Sequence, residues 1–257
     1  MRDMSLNFVG AAGWRSVGGL LALLVLSNGA SGELDATRVE VAQVFQPGLI
    51  ALRDGSAMKP FRLAGIDPVA RADRDWFVAA MTDVQRWTRD VSLDVVFMRP
   101  GERDEASGFL ALADGATLNE RLLEQGYAVI GADGADFVDL AGRLRAAQIR
   151  ARSARLRIWG AAPINPQLAE KALGQIATIC GEVGFVTDEH DGSRLLHLGN
   201  RYPRRDVSLR VLRPAAAEAE VGFTTFLHKE ICATGRVIKA DRSLEIVVAD
   251  ATQFRAR

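Results

Sequence analysis

The chain has 257 residues, 48% of them hydrophobic and 25% charged. That is enough for one large domain or two small ones, and it excludes collagen-like, disordered and polytopic membrane classes. The 32 basic residues balance the 32 acidic ones, and this neutrality weighs mildly against a protein that grips a nucleic-acid backbone over a broad basic face.

The first 32 residues differ from the rest. Arg2 and Arg15 precede the apolar run Val17–Leu26, and the small residues Ser27–Gly32 follow it. Basic flank, short apolar core and small-residue exit predict a secretory signal peptide over residues 1–32, and hence an exported protein, periplasmic or secreted. The run is about half the length that spans a bilayer, so no stable membrane span is expected after cleavage. The alternative is a retained N-terminal anchor, although Arg15 interrupts any longer span. No cysteine follows the run as a lipid attachment site. Removing the segment takes off Arg2, Arg15 and Asp3 and leaves a net charge of about −1.

Alternating apolar and polar residues then predict strands at Arg38–Gln46, Leu49–Leu52 and Phe61–Ile66, with turns at Pro47–Gly48 and Asp54–Ser56. Asp75 reads as the N-cap of a helix whose face carries Phe77, Ala80, Met81, Val84 and Trp87. Strands are expected at Leu93–Met98 and Gly108–Ala113. Thr117 and Glu120 form a capping-box pattern for a short helix ending at Gly126, and a longer helix runs from Phe137 to Trp159. Trp76, Trp87 and Trp159 read as core residues. This order suits a five-stranded barrel of the OB type over residues 36–160.

Two prolines and a loss of periodicity predict a linker over residues 161–168. Beyond it, strands are expected at Ile176–Val186, Arg194–Gly199, Val207–Leu212, Glu230–Lys239 and Leu244–Val248, with a helix at Ala215–Leu227 between the third and fourth. Residues 169–257 therefore read as a second OB-like barrel. The fold class expected is mainly β with helices, two OB-type five-stranded β-barrels in tandem.

Cys180 and Cys232 each lie in an apolar strand-like run. In an exported protein they permit a disulfide; two buried thiols are the alternative. His190, His197 and His228 lack the spacing of a zinc motif, and His197 reads as a packed or solvent-facing strand residue. Arg201, Tyr202, Arg204 and Arg205 surround Pro203 between two strands of the second barrel. A ring between guanidinium groups can stack on a base while the arginines bind phosphates, so these four are the candidate contacts to single-stranded nucleic acid. A basic hairpin with a structural Tyr-Pro turn is the other reading. Arg143, Arg145, Arg150, Arg152, Arg155 and Arg157 fit a solvated helix face or contact with an acidic partner.

Three stretches in order carry a resemblance: Phe61-Arg62-Leu63-Ala64-Gly65-Ile66-Asp67-Pro68, then Leu118–Ala128, then Ile158-Trp159-Gly160. Residues 36–160 resemble the staphylococcal-nuclease (thermonuclease) domain. The second half is similar to the OB-type nucleic-acid-binding domain appended to some bacterial secreted nucleases, through Ile179–Val183, Leu196–Pro203 and Cys232–Val237. The resemblance implies a calcium-dependent phosphodiesterase with Arg62 as a phosphate clamp and Asp67 as a metal carboxylate.

The chain departs from that pattern at three places. The turn that supplies the first metal carboxylate is Gln46-Pro47-Gly48-Leu49, without an acid. No glutamate follows in Asp67-Pro68-Val69-Ala70, where the family has its general base. Ala106-Ser107-Gly108-Phe109 lacks the second arginine. Each such loss costs on the order of hundredfold in rate. The expectation is a non-catalytic module that binds single-stranded nucleic acid or an envelope protein, with Arg62 and Asp67 kept as a structural pair. The competing expectation is a divergent calcium-dependent nuclease using relocated acids such as Asp73, Asp75 or Glu105.

Overall fold

The period-two pattern that begins at Arg38 winds into a closed barrel. A computed structural model of the chain describes residues 38–54, 56–99, 105–199, 207–213, 215, 223–240 and 243–256. The expected signal peptide, residues 1–32, lies outside them. Strand β1 (Arg38–Gln46) pairs antiparallel with β2 (Leu49–Asp54), and β2 with β3 (Ala57–Leu63). A separate short strand, β4 (Ile66–Pro68), and helix α1 (Arg74–Thr88) come next. Then β5 (Ser92–Arg99) and β6 (Ala106–Ala111) close the ring in the order β1-β2-β3-β6-β5, with β3 and β6 parallel. Alternation sends Ile50, Leu52, Phe61, Leu63 and Phe109 into the interior, and Arg62 to the outer face.

Helix α2 (Leu118–Glu124) starts with the expected capping box. The Thr117 N–H donates to Glu120 Oε2 at 2.6 Å, and the Glu120 N–H donates to Thr117 Oγ1 at 3.2 Å. Strand β7 (Ala128–Ile130) and helix α3 (Val138–Ser153) complete the first half, with Leu144 and Ala147 of α3 buried.

Three local expectations need correction. Phe61–Ile66 is not one strand. The chain bends at Ala64–Gly65, and Ile66–Pro68 leaves the barrel to pair with β7. Gly65 has φ 74°, and a Cβ there would lie 3.0 Å from Leu144 and 3.1 Å from Phe109. The buried Asn119 amide fixes the bend by donating to Ala64 O at 2.7 Å and Gly108 O at 3.1 Å. Helix α1 is preceded by Asp73 rather than Asp75, and the Asp73 side chain makes no cap bond. The long helix stops at Ser153. A 3-10 turn at Arg157–Trp159 follows, because Arg155 and Arg157 adopt φ values of 50° and 45°.

The second barrel consists of β8 (Ile176–Asp188), β9 (Arg194–Leu198), β10 (Val207–Val211), β11 (Glu230–Ala240) and β12 (Ser243–Val248). The order is β12-β10-β9-β8-β11, and pairing of β11 with β12 closes it. A further strand, β13 (Phe254–Ala256), adds to β11. The helix expected at Ala215–Leu227 falls mostly outside the described residues; the described part holds a 3-10 turn at Phe223–Phe226. Two closed five-stranded barrels thus stand in tandem, each with its own apolar core.

The segment expected as a linker is built into the second barrel. The Ile164 N–H donates to Thr178 O at 2.8 Å, and the Ile164 carbonyl accepts from the Cys180 N–H at 3.2 Å. Asn165 then caps a 3-10 helix, Pro166–Ala172, that starts with the one residue lacking an N–H to satisfy. Both barrels lie in one compact unit, Asp35–Arg257, and Ile176 and Ala249 of the second half join the core of the first. Among the described residues no helix is long and apolar enough to cross a membrane.

Candidate functional site

Strand β4 carries Asp67 out of the first barrel and presents its carboxylate to the second. Arg236, on β11, meets it there. Arg236 Nη2 donates to Asp67 Oδ1 at 2.6 Å, and Nε lies 3.0 Å from both carboxylate oxygens. The same guanidinium donates to Pro68 O at 2.5 Å and, through Nη1, to Gly174 O at 2.8 Å. The Arg236 side chain is 18% exposed and that of Asp67 33%. A planar guanidinium fits this role because it can hold a carboxylate and two carbonyls at once.

Asp73 reinforces the same junction. Its Oδ1 accepts from Ile176 N–H at 2.6 Å and its Oδ2 from Ala70 N–H at 2.8 Å, with Arg236 Nη1 3.6 Å away. Burial pushes the Asp73 carboxyl above its ordinary value; the two N–H bonds and the charge of Arg236 oppose the shift without cancelling it. One acid considered as a relocated base is therefore a strut between the barrels.

Arg62 and Asp67 do not pair with each other. Arg62 lies on the outer face of β3, with its side chain 58% exposed, and its Nη2 is 2.7 Å from Glu105 Oε1. That approach is off the hydrogen-bonding direction, so the contact is ionic only. Arg62 and Asp67 are separated by the bend at Gly65, which leaves Arg62 outward on β3 and Asp67 toward the second barrel on β4.

The turn without a carboxylate is close to this place. A Cβ on Gly48 would come within 2.5 Å of Pro68 Cγ, so the Pro47–Gly48 turn packs directly on the residue after Asp67. An acid in that turn would stand near Asp67; this sequence has none there. Among the described residues no group of three or more His, Cys, Asp or Glu side chains is arranged to hold a metal.

The basic segment Arg201, Tyr202, Arg204 and Arg205 lies outside the described residues. On either side of it, Leu198 of β9 stands opposite Val207 of β10. Cys180 and Cys232 face each other across β8 and β11 and are joined by a disulfide. His197 is buried, with Nδ1 2.7 Å from Ser208 Oγ and Nε2 3.1 Å from Thr187 Oγ1.

Of the arginines on and after α3, Arg143, Arg150 and Arg155 are exposed, as a solvated face requires, and several of the set also make contacts within the chain. Arg143 pairs with Glu120, Arg150 with Glu124 and Arg145 with Asp250 of the second half. Arg152 donates to the Thr252 carbonyl. Sequence reading missed these contacts and missed Arg236. The available signal for Arg236 was the one used for Arg62, a lone arginine inside an apolar strand.

The chain matches no protein-family model, and no curated protein matches it.

Proposed function

We propose that this chain is an exported binding module with a staphylococcal-nuclease-like first barrel that does not carry out the family's hydrolysis, and that it holds single-stranded nucleic acid through the second barrel. The single observation behind the loss of hydrolysis is the grip of Arg236 on Asp67. A calcium ion needs several hard oxygen ligands, and the carboxylate that the resemblance assigns to it is occupied by a guanidinium at 2.6 Å. The missing acid of the Pro47–Gly48 turn supports the same reading. The binding half rests on Arg201, Tyr202, Arg204 and Arg205, whose types suit stacking on a base with phosphate contact on either side.

The test is incubation of the purified protein with single-stranded DNA and RNA, with and without calcium. The proposal expects no metal-dependent cleavage. It expects saturable binding that weakens as salt rises and is lost in Arg204→Ala/Arg205→Ala. Calcium-dependent cleavage abolished by Arg62→Ala would establish the nuclease instead. Absence of binding at low salt would move the partner to an envelope protein.

A further inference from the structure

A cleft of about 310 Å³ opens where the two barrels meet. The end of α3 and the following turn give it Arg152, Arg155 and Trp159; the second barrel gives it Thr178, Thr234 and Arg255. It lies apart from the Asp67–Arg236 contact and none of its lining residues is acidic.

The charges here are unbalanced, unlike those of the other arginines of α3 and the turn after it. Arg143, Arg145, Arg150 and Arg157 each stand against a carboxylate. No ion pair to a described residue balances Arg152, Arg155 or Arg255. Arg152 is held by its bond to the Thr252 carbonyl, which positions the guanidinium without neutralising it. Burial, and then the like charge of Arg255, lower its proton affinity. Crowded guanidinium groups repel one another. A multiply charged oxyanion that accepts from the arginines relieves that repulsion.

We propose that this cleft is a binding site for a phosphate monoester, with the phosphate among Arg152, Arg155 and Arg255. Guanidinium groups match phosphate oxygens in geometry as well as charge. The volume is at the lower end of the range for small-molecule sites. A second cleft of about 520 Å³ shares the walls Ala161, Ala162 and Thr178, which leaves room for an organic group beyond the phosphate. Because both barrels line the site, the bound ligand fastens them to each other.

Calorimetric titration of the full chain with inorganic phosphate, a 5′-mononucleotide and the corresponding uncharged nucleoside tests this. Saturable binding is expected for the first two, with the mononucleotide at least as tight, and none for the nucleoside. Arg155 and Arg255 are both exposed, so Arg155→Gln/Arg255→Gln should unfold at the temperature of the parent and bind at least about tenfold more weakly. The site is refuted by absence of saturable binding, by an unchanged affinity in the double variant, by equal binding of the nucleoside, or by exclusion of the mononucleotide.

Discussion

Arg236 of the second barrel holds Asp67 of the first at 2.6 Å, across 169 positions of chain. Both charges are partly withdrawn from water, and the guanidinium also satisfies the carbonyls of Pro68 and Gly174. Removal of either partner leaves the other with an uncompensated charge. Arg236→Ala and Asp67→Ala should each lower stability by about 2 kcal/mol, reduced from the value for a fully buried pair by the remaining exposure. A double-mutant cycle read by urea unfolding should return a coupling of about 1 kcal/mol or more. Additive losses would show that the contact carries no energy of its own.

Arg62→Ala should behave differently. Its ion pair with Glu105 is exposed and lacks a directed hydrogen bond. Such pairs contribute between zero and about 1 kcal/mol, so the unfolding midpoint should barely move. A loss as large as that of Arg236→Ala would mean that Arg62 supports the barrel after all.

The pH dependence of stability should carry a signature of Asp73. Its folded carboxyl titrates above 3.8, chiefly because it is buried. The folded state then keeps the proton to higher pH than the unfolded chain does. The resulting contribution to stability is complete below 3.8 and is lost as pH rises through the raised folded value. Asp73→Asn cannot titrate. The stability of the parent minus that of Asp73→Asn, from urea unfolding at a series of pH values, should therefore fall as pH is raised from 3.8. A flat or rising difference would contradict the assignment.

The bond between Cys180 and Cys232 closes a loop with a sequence separation of 52. The chain-entropy account gives such a crosslink about 4 kcal/mol of stabilisation. Reduction should shift the urea midpoint of the whole Asp35–Arg257 unit downward, and alkylation should add mass only after reduction. Thiols that react without reductant would show that no bridge is present.

The barrels were legible because their strands alternate, and the α2 cap because Thr117 and Glu120 stand at capping spacing. The two-residue bend at Ala64–Gly65 was not, since the apolar run continues through it and only tertiary packing under Leu144 and Phe109 reveals that Gly65 must turn. Strand β4 was hidden for the same reason: three residues have no period of their own, and the partner β7 lies far along the chain. The linker reading failed because proline marks a break in a pattern without saying what the broken segment packs against; Ile164 pairs with β8 through its backbone. At the candidate site, residue types alone placed Arg62 beside Asp67. Their actual partners, Glu105 and Arg236, are set by topology.

The most direct test of the claim that Asp67 is a strut rather than a metal ligand is the thermal unfolding of the parent, Asp67→Ala and Arg236→Ala, each with and without calcium. The account predicts that both substitutions lower the melting temperature and that calcium shifts none of the three. A calcium-dependent rise in the parent, abolished by Asp67→Ala and enhanced by Arg236→Ala, would show that Asp67 serves a metal and would contradict the account.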